Sequence, residues 1–227
     1  WLDSPVFHDG WNHLAPSKFN FSDFDTISHI WFSHEHPDHF FPPNIKKIEK
    51  RHRERITVFY QESNDKKVVT YLRDLGFKEV IELQKDKWYS VMSDFEIMCN
   101  PFGHDSWLCV KTEGKTILNT NDCVIRKPQD AQEIKNKIGT VDILLTQFGY
   151  GQYEGNSDEP QKRKSAVQTK FNQMDTQIEA FKPQYLIPFA SLIYFCHEEN
   201  YYMNDEINRI ENVFNYYQQA KTTEPVV

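Results

Sequence analysis

His34-Glu35-His36-Pro37-Asp38-His39 is the segment that most limits what this chain can become. It follows Ser28-His29-Ile30-Trp31-Phe32-Ser33, an apolar and aromatic run that reads as a buried strand. An extended chain alternates its side chains, so His34 and His36 point to one face at the end of that strand. Pro37 cannot continue a ladder and turns the chain back, which returns Asp38 and His39 to the same space. Three imidazoles and a carboxylate in six residues are more than one catalytic ion takes from one loop, and they suit zinc, iron or manganese. The chain has nine histidines among 227 residues, so a merely polar loop would rarely gather three beside an aspartate. The segment predicts a site for two metal ions.

Around it, short apolar runs alternate with helical patterns. Pro42-Pro43 opens a basic amphipathic helix to about Glu54, residues 56–60 are β-rich, and a helix over 64–75 stops at Gly76. Strands are expected over 79–83, 88–92, 95–100, 107–112 and 116–119, with Glu113-Gly114-Lys115 as a hairpin turn. Helices over 128–138, 160–181 and 205–218 flank strands over 141–146 and 185–188. Residues 149–159, rich in glycine, asparagine and acids, read as a loop. No repeat or shift of composition marks a boundary, so residues 1–227 are expected to form a single domain, which is compatible with a longer parent chain. Strands in two runs with helices outside predict a layered α/β sandwich.

The formal net charge of -7 argues against a nucleic-acid partner, which would want a basic face. A small anionic substrate is compatible with it, because bound metal reverses the local field. No apolar stretch reaches the roughly 18 residues of a membrane span, and residues 1–11 lack the basic start of a secretory signal. A cytoplasmic protein with no membrane partner is expected. Cys99, Cys109, Cys123 and Cys196 are widely spaced and form no CxxC, which fits reduced thiols.

His34-Glu35-His36-Pro37-Asp38-His39 behind its strand resembles the H-x-H-x-D-H signature of the metallo-β-lactamase superfamily. Gly103-His104-Asp105-Ser106, then a strand, a glycine turn and Ile117-Leu118-Asn119-Thr120-Asn121-Asp122, is similar to that superfamily's second ligand block. Order and context agree from Ser28 to Asp122 and more loosely beyond. The resemblance implies a four-layer αββα sandwich. It implies His34, His36 and His104 on a first ion, Asp38 and His39 on a second, and Asp122 bridging both. The superfamily usually adds a late histidine after a final strand. Here Ala190 and Ser191 follow that strand, and the late histidine is His197, with Glu198 and Glu199 as substitutes. His8 and His13, near Trp11, are candidates for the pocket mouth, while His29 and His52 read as structural or solvated. Lys162-Arg163-Lys164 is a candidate to meet an anionic substrate but reads first as a solvated charge run, and Cys123 as a buried inert thiol.

A metalloenzyme is implied, in the first instance a hydrolase. Two zinc ions about 3.5–4 Å apart bring a bridging water's pKa toward ~7, and the hydroxide attacks a small-molecule substrate while Asp38 orients it. The alternative is a diiron oxygenase. Ile27–Trp31 and the segment from Pro188 to Asp205 resemble the branch around CMP-N-acetylneuraminate hydroxylase, which carries a Rieske iron–sulfur domain beside this one. The chain holds no paired Cys and His ligands for such a cluster, so an oxygenase would need an external redox donor or a domain outside this sequence. A binding module with a decayed site is a third class, and the intact ligand set argues against it.

Overall fold

The computed structural model describes residues 10–15, 18–220 and 224–225. Three parallel strands, β2 (His29–Phe32), β3 (Thr57–Gln61) and β4 (Glu79–Leu83), form one sheet in that order, and a short β1 (Trp11–His13) precedes them. A seven-stranded sheet follows. Its β5 (Tyr89–Met92), β6 (Phe95–Phe102), β7 (Asp105–Thr112) and β8 (Lys115–Asn119) make an antiparallel meander. Parallel β9 (Ile143–Gln147), β10 (Tyr185–Phe189) and β12 (Glu224–Pro225) extend it. The turn between β7 and β8 places both Glu113 (φ 49°) and Gly114 (φ 68°) in the left-handed region, which suits the twist of a tight hairpin. Among the described residues, β11 (Ile193–Phe195) pairs with β1 in a separate two-stranded sheet.

Parallel neighbours need crossovers. Here α4 (Pro128–Ile138) and α5 (Pro160–Phe181) supply them. They pack with α6 (Ile210–Ala220) on the outer face of the large sheet, around Leu118, Leu144, Leu186, Met174 and Val213. The small sheet is covered by α1 (Pro42–Ile45), α2 (Lys50–Arg53) and α3 (Lys67–Asp74) through Ile45, Val58, Leu72 and Val80. Between the sheets lie Phe59, Leu83, Ile97 and Cys99 with Trp31 and Leu108. The molecule is thus a helix–sheet–sheet–helix sandwich, as expected.

Two expected helices come out differently. The one from Pro42 to about Glu54 is two short helices, because the extended backbone of Glu49 (φ -59°, ψ 147°) breaks it. The Arg53 guanidinium donates to the carbonyls of Lys46 and Ile48 freed there. The closing helix begins at Ile210, and Tyr201–Asn204 is a separate 3-10 turn. That turn is tied down by the Asn204 amide, which bonds both backbone groups of Phe195 and the Tyr201 carbonyl. Among the described residues no helix is long and apolar enough to cross a membrane.

Candidate metal centre

The C-terminal ends of β2, β8 and β9 and the β6–β7 turn meet at one end of the sandwich. After β2 the Ser33 carbonyl accepts from Ser106 Oγ (2.7 Å) and Gln61 Nε2 (3.0 Å), which pins the strand end between the sheets. Beyond Pro37 the chain turns tightly, with the amides of His39 and Phe40 both donating to the His36 carbonyl. His34 Nε2 and His36 Nδ1 then face each other at 2.8 Å. His39 Nε2 lies 3.2 Å from Asp38 Oδ2 and 3.0 Å from Asp122 Oδ2. Asp122 comes from the far sheet. Asn121 takes a left-handed turn (φ 48°) after β8, and Thr120 is tied to the Leu145 carbonyl, which throws Asp122 back over the strand ends.

Electrostatics of this cluster favour a cation. Burial works against a charged His39, yet the hydrogen bonds it donates to Asp122 and Asp38 outweigh it and lift its pKa to about 10. Burial alone would raise Asp38, but its bond to His39 leaves it below the usual carboxylate range. Burial, with His34 beside it, lowers His36. The carboxylates that hold a proton on His39 would equally hold a metal ion. The donor set fits one. A ligand atom from each of His34, His39 and Asp122 lies within 4.8 Å of the others, and Asp38 Oδ1 is buried with no hydrogen-bond partner.

Asp105, to which sequence reasoning assigned no role, orients the first imidazole. Its Oδ1 accepts from His34 Nδ1 (2.9 Å), the Ser106 amide (2.6 Å) and Asn121 Nδ2 (3.0 Å). A proton held on Nδ1 leaves Nε2 free to bind metal. Gln147 and Lys170 were missed as well. Gln147 Nε2 donates to Asp122 Oδ1 at 2.9 Å, and Lys170 Nζ donates to Gln147 Oε1. Burial lowers Lys170 to about 8. The only sequence signal for any of these is that Asp105 directly follows His104.

The cluster opens into a cavity of about 1130 Å³. His34, His36, Asp38, His104 and Asp122 line its floor, with His104 on the exposed β6–β7 turn after Gly103 (φ 68°). Trp11 and the 149–159 loop form one wall, and a Cβ at Gly151 would overlap the Trp11 ring. Lys162 and Lys170 of α5 and Arg126 line the rest. Lys162 is paired with Glu159, whereas Arg126 and Lys170 meet no carboxylate among the described residues.

His197 is not brought to the cluster. After β10 the chain passes Ala190 (φ 55°), where Ser191 is tied to Gly149, and then runs out along β1. His197, Glu198 and Glu199 are exposed beyond β11 and do not line the cavity. His13 ends β1 and does not line the cavity, whereas Trp11 of the same strand does, and His8 is outside the described residues. His52 is buried against Phe24. Lys162-Arg163-Lys164 is not simply a solvated face: Arg163 is 2% exposed, donates to the carbonyls of Asn156 and Ser157, and stacks on Tyr202. The Cys123 thiol is buried, which pushes it well above its usual range.

No family model matches the sequence. A Mycolicibacterium smegmatis protein named for a Rieske 2Fe-2S iron–sulfur protein is 22% identical over 94% of this chain and 43% of its own length. The diiron β-hydroxylase CmlA from Streptomyces venezuelae superposes with a TM-score of 0.66 at 17% identity, covering 94% of this chain and 46% of CmlA. Igni18, a metallo hydrolase from Ignicoccus hospitalis, gives 0.57 at 13% identity over 93% of this chain and 81% of its own. The metallo-β-lactamase-fold protein YhfI from Bacillus subtilis gives 0.53 at 11% identity, covering 89% and 75%. The chain has the metallo-β-lactamase fold, and it spans less than half the length of the M. smegmatis relative and of CmlA.

Proposed function

We propose that this chain is a dinuclear metalloenzyme of the oxygen-activating, diiron kind, acting on a small anionic substrate with electrons from a separate redox donor. The observation that carries this reading is the position of His197. With His197 out on the surface, the described donors to the second ion are Asp38, His39 and Asp122. One imidazole and two carboxylates make a hard, oxygen-rich set with open positions, which suits iron or manganese better than zinc. The chain-wide likeness to CmlA and to an iron–sulfur-named relative supports the same choice.

When bound, two irons would supply the reduction of oxygen. The chain's own residues would do the rest. In this reading His34, His36 and His104 would hold the first ion, Asp38 and His39 the second, and Asp122 would serve both, while Asp105, which accepts from His34 Nδ1, would keep Nε2 of His34 turned to the metal. Asp38 has a buried free oxygen with which to orient a reacting group. Arg126, a cation on the cavity wall that meets no carboxylate among the described residues, suits an anionic substrate group.

A zinc hydrolase working through a metal-bound hydroxide is the second reading. Three imidazoles on the first ion are a set that zinc also takes, and Igni18 supports it. The two separate cleanly. Iron-loaded protein with reductant and candidate substrates should consume oxygen in step with product, and Asp38→Ala should abolish the uptake. Turnover by zinc-loaded protein that is equal under air and nitrogen would establish the hydrolase instead.

A further inference from the structure

Lys170 is 8% exposed and Gln147 sits between it and Asp122. Lysine offers only donors, so the Gln147 atom facing Nζ must be the amide oxygen. That fixes the other end: Nε2 has to point at Asp122 Oδ1, 2.9 Å away. Asp122 Oδ1 is thereby occupied, and Oδ2 is left as the oxygen turned to His39 at 3.0 Å. Burying a lysine without a carboxylate is unfavourable, and a neutral side chain would fill the same space. The cation's use here is to set the polarity of a side-chain amide that would otherwise flip.

We propose that Lys170 and Gln147 form a positioning relay that fixes which oxygen of Asp122 is presented to the metal pair. The relay rests on the dinuclear reading. Neither residue is required to touch substrate, and each acts through the next: Lys170 orients Gln147, and Gln147 orients Asp122. Partners of metal ligands at this remove typically change metal affinity about 10–100-fold when lost. Serial dependence also makes a sharper demand. Once Gln147 is gone, Lys170 has nothing left to orient, so losses from the two sites must not add.

The test is Co(II) titration of metal-free protein, following the visible absorption of the bound ion, for wild type, Gln147→Met, Lys170→Met, Lys170→Arg and the double Met variant. We expect two ions in wild type, with the second weakened about 10–100-fold by Gln147→Met and about tenfold by Lys170→Met. Lys170→Arg, which keeps a donor, should stay near wild type, and the double variant should bind no more weakly than Gln147→Met. First-ion affinity, which rests mainly on three imidazoles, should fall less than second-ion affinity in every variant. Equal second-ion affinity in wild type and Lys170→Met, or additive losses in the double variant, would overturn the relay alone. A wild type that takes up one ion would overturn the dinuclear reading and the relay with it. Because the two Lys170 variants differ only at its far end, they carry the test even if Gln147→Met does not fold.

Discussion

Asp105 shows how much of this site is set by residues that bind no metal. Its Oδ1 gathers three donors, from His34, Ser106 and Asn121, and so couples the end of β2 to the turn that carries Asp122. Asp105→Ala should weaken the first ion about 10–100-fold by freeing the His34 ring, measured by competition with a chromophoric chelator. Unchanged affinity would leave Asp105 a merely structural role. Asp38 is the contrasting case. In the proposed dinuclear site its loss would remove a ligand of the second ion and leave the proposed first-ion ligands His34, His36 and His104 untouched. Asp38→Ala should therefore lower the bound metal from two ions to one by elemental analysis; loss of both would mean that the two subsites are not separable.

At the scale of elements, the cavity wall depends on α5. Its first turns carry Arg163 into the protein, where the guanidinium holds the carbonyls of Asn156 and Ser157 and so pins the 149–159 loop. The loop in turn seats Tyr150 against Phe195 of β11, and Tyr202 donates to the Gly155 carbonyl. Hydrogen bonds from a charged donor contribute about 1.5–3 kcal/mol each. Arg163→Met should thus speed amide hydrogen exchange in residues 149–159 while leaving β6 and β7 protected. Exchange that is unchanged in the loop, or raised throughout the molecule, would count against this pinning.

For the whole molecule, the cluster makes stability depend on pH in a predictable direction. His39 has its pKa raised from an ordinary value of 6.5 to about 10 by its two carboxylates. A group that binds its proton more tightly when folded contributes stability that is fully present below its unfolded pKa. That contribution is lost as pH rises through the folded value. Metal-free protein should accordingly lose stability relative to His39→Asn between about pH 6.5 and 10, read as the difference in Tm across that range. Lys170 acts oppositely near pH 8 and above, but it is common to both proteins and cancels in the difference. Metal must displace the same proton, so ion uptake at neutral pH should release it, visible in calorimetry as a heat that scales with buffer ionisation enthalpy.

The sequence by itself determined the fold class and pointed to the residues of the candidate site, of which His34, His36, Asp38, His39 and Asp122 lie together in one cluster and His104 lines the cavity above it. The H-x-H-x-D-H segment and the Gly103–Ser106 block are local in the chain, and strand alternation plus one proline suffice to aim their side chains. The helix bounds over 128–138 and 160–181 were equally legible, since each opens on proline after a loop and carries its own apolar stripe. Tertiary structure alone decided the rest. Whether Asp122 meets His39 depends on how two sheets stack, and whether His197 reaches the metals depends on the pairing of β11 with β1. The Lys170–Gln147–Asp122 chain joins residues from α5, β9 and the turn after β8, which no spacing along one strand or helix encodes. A ligand loop is written in short-range backbone geometry. The groups that orient its ligands are brought there by packing across layers, and only the folded molecule shows them.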